Sequence, residues 1–152
     1  MVSVPAELAA ARALLEEEMA ALAAAGIPAR RPPLGIMVEV PAAALAIDLF
    51  DADFFSIGSN DLTQYVMAAA RDNAAVADLA DPLNPAVLRL IGAITAHGRA
   101  VGREVSLCGD AAGDPAVVPH LLGAGLRSVS VAPAALGRTK AAIAAVDLGR
   151  SP

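Results

Sequence analysis

The chain predicts an α/β fold, a parallel sheet built from four strand–helix units behind one leading helix. Three observations carry this. Short apolar runs alternate with longer segments whose apolar residues recur every three or four positions, the pattern of strands joined by helices. Gly and Pro stand at the junctions. The core material is small and aliphatic, with 57% hydrophobic but only 3% aromatic residues among 152, which suits helices packed close on a parallel sheet. A complete eight-unit barrel takes about 250 residues. Four units therefore fit half of a β/α barrel, and an open four-stranded parallel sheet is the alternative. The length allows one domain, residues 1–152.

The elements follow in order. Ser3 can cap a first helix, with Pro5 in its opening turn and Glu7 near its positive end. Leu8, Ala11, Leu15, Met19 and Leu22 draw one apolar stripe along it, and Gly26 and Pro28 end it. Glu16–Glu18 read as a solvated face. Leu34–Val40 is almost wholly apolar, so it is expected as a strand buried on both faces, with Glu39 at its end. Pro41 opens an alanine-rich helix to about Phe50. Phe54–Ile57 is the second strand, followed by a helix from about Asp61 to Ala70. The polar stretch from Arg71 to Pro85 is of a length uncommon for a loop unless it is functional. A helix from Pro85 is expected to end at His97–Gly98 with Val87, Leu88, Ile91, Ile94 and Thr95 inward. Val105–Cys108 is the third strand. Asp114–Pro115 opens a short helix, Ser128–Ala132 is the fourth strand, and Pro133–Val146 is the last helix.

Composition excludes several function classes. Glu, Asp, Arg, Gly or Pro interrupts every apolar run before the roughly 20 residues a membrane span needs. The start has no basic flank and apolar core of a secretory signal, so the cytoplasm is the expected compartment. The net charge is −5 and the only basic doublet is Arg30–Arg31, which argues against nucleic acid as a partner. The single cysteine, Cys108, can form neither an internal disulfide nor a Cys-only metal site.

In parallel α/β folds ligands bind at the C-terminal ends of the strands. Several polar residues fall there. Glu39 ends the first strand. After the second, Gly58 breaks the chain and sets Asn60 and Asp61 side by side. Cys108 and Asp110 follow the third, and Arg71 stands beyond the helix that starts at Asp61. Two carboxylates from neighbouring strand ends suit a hard cation such as magnesium. An amide and an arginine grip phosphate or carboxylate, and a thiol can move a proton. Singly, each residue has a plain structural explanation: a satisfied carboxylate, a helix cap, a surface ion pair, a small buried hydrophobe. Their convergence on one end of successive strands is what core statistics do not predict. His97, in the last turn of a helix, and His120 read as structural or solvent-facing.

Gly35–Ala43 (Gly-Ile-Met-Val-Glu-Val-Pro-Ala-Ala), Asp53–Tyr65 and Leu107–Asp114 closely resemble the phosphoenolpyruvate (PEP)-binding barrel of PEP-utilising enzymes. Within these the resemblance is nearest to the PEP-protein phosphotransferases, enzyme I of the bacterial sugar phosphotransferase system. Pyruvate phosphate dikinase and PEP synthase share the motifs less closely. The resemblance implies a magnesium- and PEP-binding domain in which phosphoryl passes from PEP to a histidine on a separate domain, and then to a phosphocarrier protein. It implies Glu39 and Asp61 as magnesium ligands, Asn60, Asp61 and Arg71 as PEP contacts, and Cys108 as the donor of a proton to the pyruvate enolate. It also implies a homodimer. Asp110 stands where the family usually has glutamate. The family's Gly-Gly-x-Thr-Ser-His motif and the arginine-bearing early barrel strands have no match here, and Met1–Ser3 resembles the end of a fourth barrel strand. The expectation is therefore the last half of the barrel, inactive in isolation. An inert dimerisation module is the alternative, and a magnesium-dependent aldolase or lyase is disfavoured by the Cys108 loop and the Asn60–Gln64 run.

Overall fold

A computed structural model describes residues 1–147; the last five residues of the expected domain lie outside the described residues. Four parallel strands pair in chain order: β1 (Ile36–Val38), β2 (Phe54–Gly58), β3 (Glu104–Cys108) and β4 (Ser128–Val129). Helix α1 (Pro5–Ala24) precedes them. Helices α2 (Pro41–Leu45), α3 (Ser59–Met67), α4 (Pro85–Ala100), α5 (Val118–Gly123) and α6 (Leu136–Ala144) follow the strands. The parallel, consecutive order with flanking helices is that of a partial β/α barrel. Met1–Ser3 join no strand of this sheet.

Register explains what is buried. Val38, Ile57, Leu107 and Val129 align across the four strands, and the first three have no exposure at all. This face carries the helices, and Leu62, Val87, Ile91, Ile94 and Leu121 complete the core on it. The neighbouring row is Met37, Ser56, Ser106 and Ser128. No member of it is buried, and Met37 is 41% exposed. The first strand is thus buried on one face rather than two. Side chains alternate across a strand, and the described residues put helices against one side only.

Several boundaries move for local reasons. Val4, not Ser3, is the cap residue of α1, and the Glu7 carboxylate accepts from the Ser3 and Val4 amides at 2.7 and 3.0 Å. The expected helix after β1 divides into α2 and a 3₁₀ turn, Ile47–Leu49. Helix α3 stops at Ala68, which takes a left-handed φ of 51°. The Arg71–Pro85 stretch holds a 3₁₀ segment, Ala74–Leu79, capped by Asn73. Helix α4 runs through Gly98 to Ala100, and Gly98 is buried against Val105, where a side chain has no room. The turn at Asp114, whose Oδ1 accepts from the Ala116 amide at 2.8 Å, delays α5 to Val118. A 3₁₀ turn, Pro133–Ala135, precedes α6. No helix among the described residues is long and apolar enough to cross a membrane.

Candidate active site at the strand ends

Continuing the strand register by one step brings Glu39, Gly58 and Cys108 abreast at the C-terminal edge of β1, β2 and β3. Glycine at the middle position leaves space for its neighbours. A Cβ on Gly58 would sit 2.8 Å from Glu39 Oε2 and 3.2 Å from the Met37 sulfur. Glu39 is only 8% exposed. Among the described residues its one ion pair is a long one, 3.7 Å from Oε1 to the Met1 amino group. A carboxylate this buried needs a charge partner or a metal. Cys108 is a half-buried free thiol on the same sheet face.

Helix α3 begins at Ser59, directly after β2, so its first turn overhangs this edge. The Ser59 hydroxyl donates to the Cys108 carbonyl at 2.7 Å, which ties the start of α3 to the end of β3. Asn60 and Asp110 form a two-way clamp. Asn60 Nδ2 donates to Asp110 Oδ2, and the Asp110 amide donates to Asn60 Oδ1, both at 3.0 Å. The amide of Asn60 is thereby fixed in orientation. Gly109, between Cys108 and Asp110, has φ +96°. A Cβ there would meet Ser59 Oγ and would lie 2.7 Å from Asn60 Oδ1. Glycine is the residue this junction accepts.

Arg71 folds back onto α3. Its Nη2 lies 2.8 Å from Asp61 Oδ1, and its Nε donates to Gln64 Oε1 at 3.3 Å, as does its main-chain amide at 3.2 Å. Asp61 and Gln64, three residues apart, share a helix face and hold the guanidinium between them. Among the described residues Asp61 Oδ2 accepts no hydrogen bond. Ser59, Asn60, Thr63, Arg71, Pro82 and Asp110 line a cavity of about 140 Å³.

The structure therefore gathers the expected residues into two groups on one edge of the sheet. Glu39 and Cys108 flank Gly58 over the strand ends; Asn60, Asp61 and Arg71 cluster on the first turns of α3. Reading the sequence alone did not single out Ser59, Thr63 or Gln64, and gave Asp110 no partner. Helical spacing from Asn60 and Asp61 was the available signal for Thr63 and Gln64. Among the described residues no three His, Cys, Asp or Glu side chains gather as a closed metal cage. A cation here would have two protein carboxylates and take its other oxygens from ligand and water, the habit of magnesium. The buried, weakly paired Glu39 and the open oxygen of Asp61 fit that donor set. The histidines stand apart in role: His97 meets the Phe55 ring edge-on at 5.7 Å, and His120 is half-buried in α5.

Comparison with known proteins identifies the family of the chain. Residues 1–148 match the family described as PEP-utilising enzyme, PEP-binding domain. The phosphoenolpyruvate-protein phosphotransferase of Lactococcus lactis subsp. lactis is 43% identical over 150 residues, 97% of this chain and 26% of the relative. That of Haloferax volcanii is 45% identical over 149 residues, again 97% and 26%. That of a Bacillus species is 48% identical over 128 residues, 82% of this chain and 22% of the relative. The chain spans about a quarter of the length of these relatives. With a family match over nearly its whole length, the chain belongs to the PEP-utilising enzymes, in their PEP-binding domain.

Proposed function

We propose that this chain supplies one wall of the magnesium–PEP site of a PEP-protein phosphotransferase, as one half of its β/α barrel over residues 1–152. The observation that carries the reading is the convergence of Glu39, Asn60, Asp61, Arg71 and Cys108 on the C-terminal edge of a parallel sheet. Glu39 and Asp61 would hold magnesium, which when bound neutralises charge on the phosphoryl oxygens. Arg71 binds those oxygens, and Asp61 and Gln64 orient it. Asn60, locked by Asp110, presents a fixed amide face to the substrate. In the reaction a histidine on another domain attacks phosphorus. The bond from phosphorus to the enol oxygen breaks, and its electron pair stays with the enolate. Cys108 then gives its thiol proton to the methylene carbon, leaving thiolate and pyruvate.

The acceptor histidine domain and a phosphocarrier protein are partners of this reading, as are a cytoplasmic setting and a dimer. A chain carrying only this wall is expected not to turn over PEP. The test is calorimetric titration with magnesium and phosphoglycolate, which has the carboxylate and phosphate of PEP without its enol. The parent chain binds in a magnesium-dependent manner, and Glu39→Ala or Asp61→Ala weakens binding by about tenfold or more, equivalent to ~1.4 kcal/mol. Absence of binding by the parent at millimolar ligand would overturn the reading. The second reading, an inert assembly module of the same family, would then stand; the open sheet face bearing Met37 and Phe54 favours it.

A further inference from the structure

Thr63 is the one polar side chain among the described residues that is buried without a hydrogen-bond partner. It is 4% exposed. A helical threonine normally gives its hydroxyl to the carbonyl one turn back, and Thr139 does so with Ala135 at 3.0 Å. Thr63 does not, although the Ser59 carbonyl is available at the same spacing. An orphaned hydroxyl costs about 1–3 kcal/mol and calls for an occupant.

Thr63 lines the cavity shared by Ser59, Asn60, Arg71 and Asp110. The other polar groups there are largely committed. Ser59 Oγ donates to Cys108, and Asn60 and Asp110 satisfy each other. Arg71 uses Nε and Nη2 on Gln64 and Asp61, which leaves part of its five-donor fork free. The side-chain donors still available are therefore the second N–H of Asn60 Nδ2, the guanidinium and a buried hydroxyl. Asp110 repels an anion on its own side, so the attractive wall is that of Arg71 and Thr63. The cavity's ~140 Å³ exceeds the roughly 30 Å³ share of a single water.

We propose that Thr63 is a further binding residue: its hydroxyl donates to a phosphoryl oxygen held in this cavity by Arg71. This rests on the proposed function and extends its anion site one helical turn inward from Asn60. The test titrates the full chain, its Thr63→Val and its Thr63→Ser variants with three probes, in the presence of magnesium. Inorganic phosphate carries the phosphoryl oxyanion alone, oxalate carries carboxylates alone, and phosphoglycolate carries both. Thr63→Val is expected to lose about tenfold or more in affinity for phosphate and phosphoglycolate, as for one hydrogen bond to a charged group. Thr63→Ser restores it, and oxalate binding is unchanged. Urea unfolding is expected to find Thr63→Val at least as stable as the parent, since valine removes an unpaired hydroxyl; a purely structural hydroxyl would give the opposite sign. Equal affinity of parent and Thr63→Val overturns the inference while leaving the proposed function intact. A loss confined to oxalate overturns it as well. Failure of the parent to bind any of the three overturns both.

Discussion

Gly109 sets how closely the two groups of site residues can approach. Its φ of +96° and ψ of −174° lie in a region that L side chains avoid. A methyl there would also run into Ser59 Oγ and Asn60 Oδ1, the two atoms that bind the end of β3 to the start of α3. Gly109→Ala therefore carries two penalties, backbone strain of ~1–3 kcal/mol and displacement of the Asn60–Asp110 clamp. A loss of about 2–4 kcal/mol in urea unfolding is the expected outcome, with phosphoglycolate affinity falling by more than in Glu39→Ala because both groups lose register. If the variant unfolds like the parent, the clamp has no part in holding this edge together.

The second unit is fixed at its other end by a similar two-way clamp between elements. The Leu34 amide donates to Asp53 Oδ2 at 2.7 Å, and the Asp53 amide returns a bond to the Leu34 carbonyl at 2.9 Å. This aligns the entries to β1 and β2 before either strand begins. The bond from Leu34, with Arg12, Arg103 and Arg31 nearby, holds the Asp53 carboxyl below the usual carboxylate range. A folded-state pKa below the unfolded one gives stability that is fully present above the unfolded value, about 3.9, and is lost as pH falls through the folded one. The Tm difference between the parent and Asp53→Asn is accordingly flat from pH 5 to 8 and shrinks below about pH 4. A difference that grows on acidification would contradict this sign. The same element scale explains what could be read in advance. Strand ends are marked in sequence by apolar runs that stop at Glu39, Gly58 and Cys108, so the edge of the sheet was legible. The pairing of Asn60 with Asp110 and the return of Arg71 to Gln64 join residues 50 and 7 positions apart. Those contacts depend on how the 71–85 and 109–113 segments fold back, which no local pattern encodes. The stripe on α1 was legible too, but not that its far half would lie largely uncovered.

Across the molecule, that uneven covering of α1 predicts uneven stability. Of its twenty residues only Leu8 is buried, while Arg12, Leu15, Met19 and Leu22 are half-covered. Arg12 reaches the Asp51 main-chain carbonyl and lies 3.6 Å from the Asp51 carboxylate, an exposed pair of small worth. Beyond Arg12 the helix is tied to the segment that follows it by Arg31 to Glu16 at 2.6 Å. By contrast β2 and β3 sit between other strands and under α4, whose Val87, Ile91 and Ile94 are buried. Local opening follows buried apolar area. Amide hydrogen exchange should therefore protect β2, β3 and the centre of α4 most, and release α1 beyond Arg12 first. Leu8→Ala removes the helix's one fully buried anchor, a change that costs about 2–5 kcal/mol in a packed core. If α1 is a separable unit, that loss appears as faster exchange throughout α1 with little change in β2 and β3, and the site residues on α3 keep their protection. If α1 is instead part of the cooperative core, exchange in β2 and β3 accelerates by the same factor. The first pattern is the one this burial requires: the strand-end site is carried by the sheet, α3 and α4, and the leading helix is docked onto them at one end.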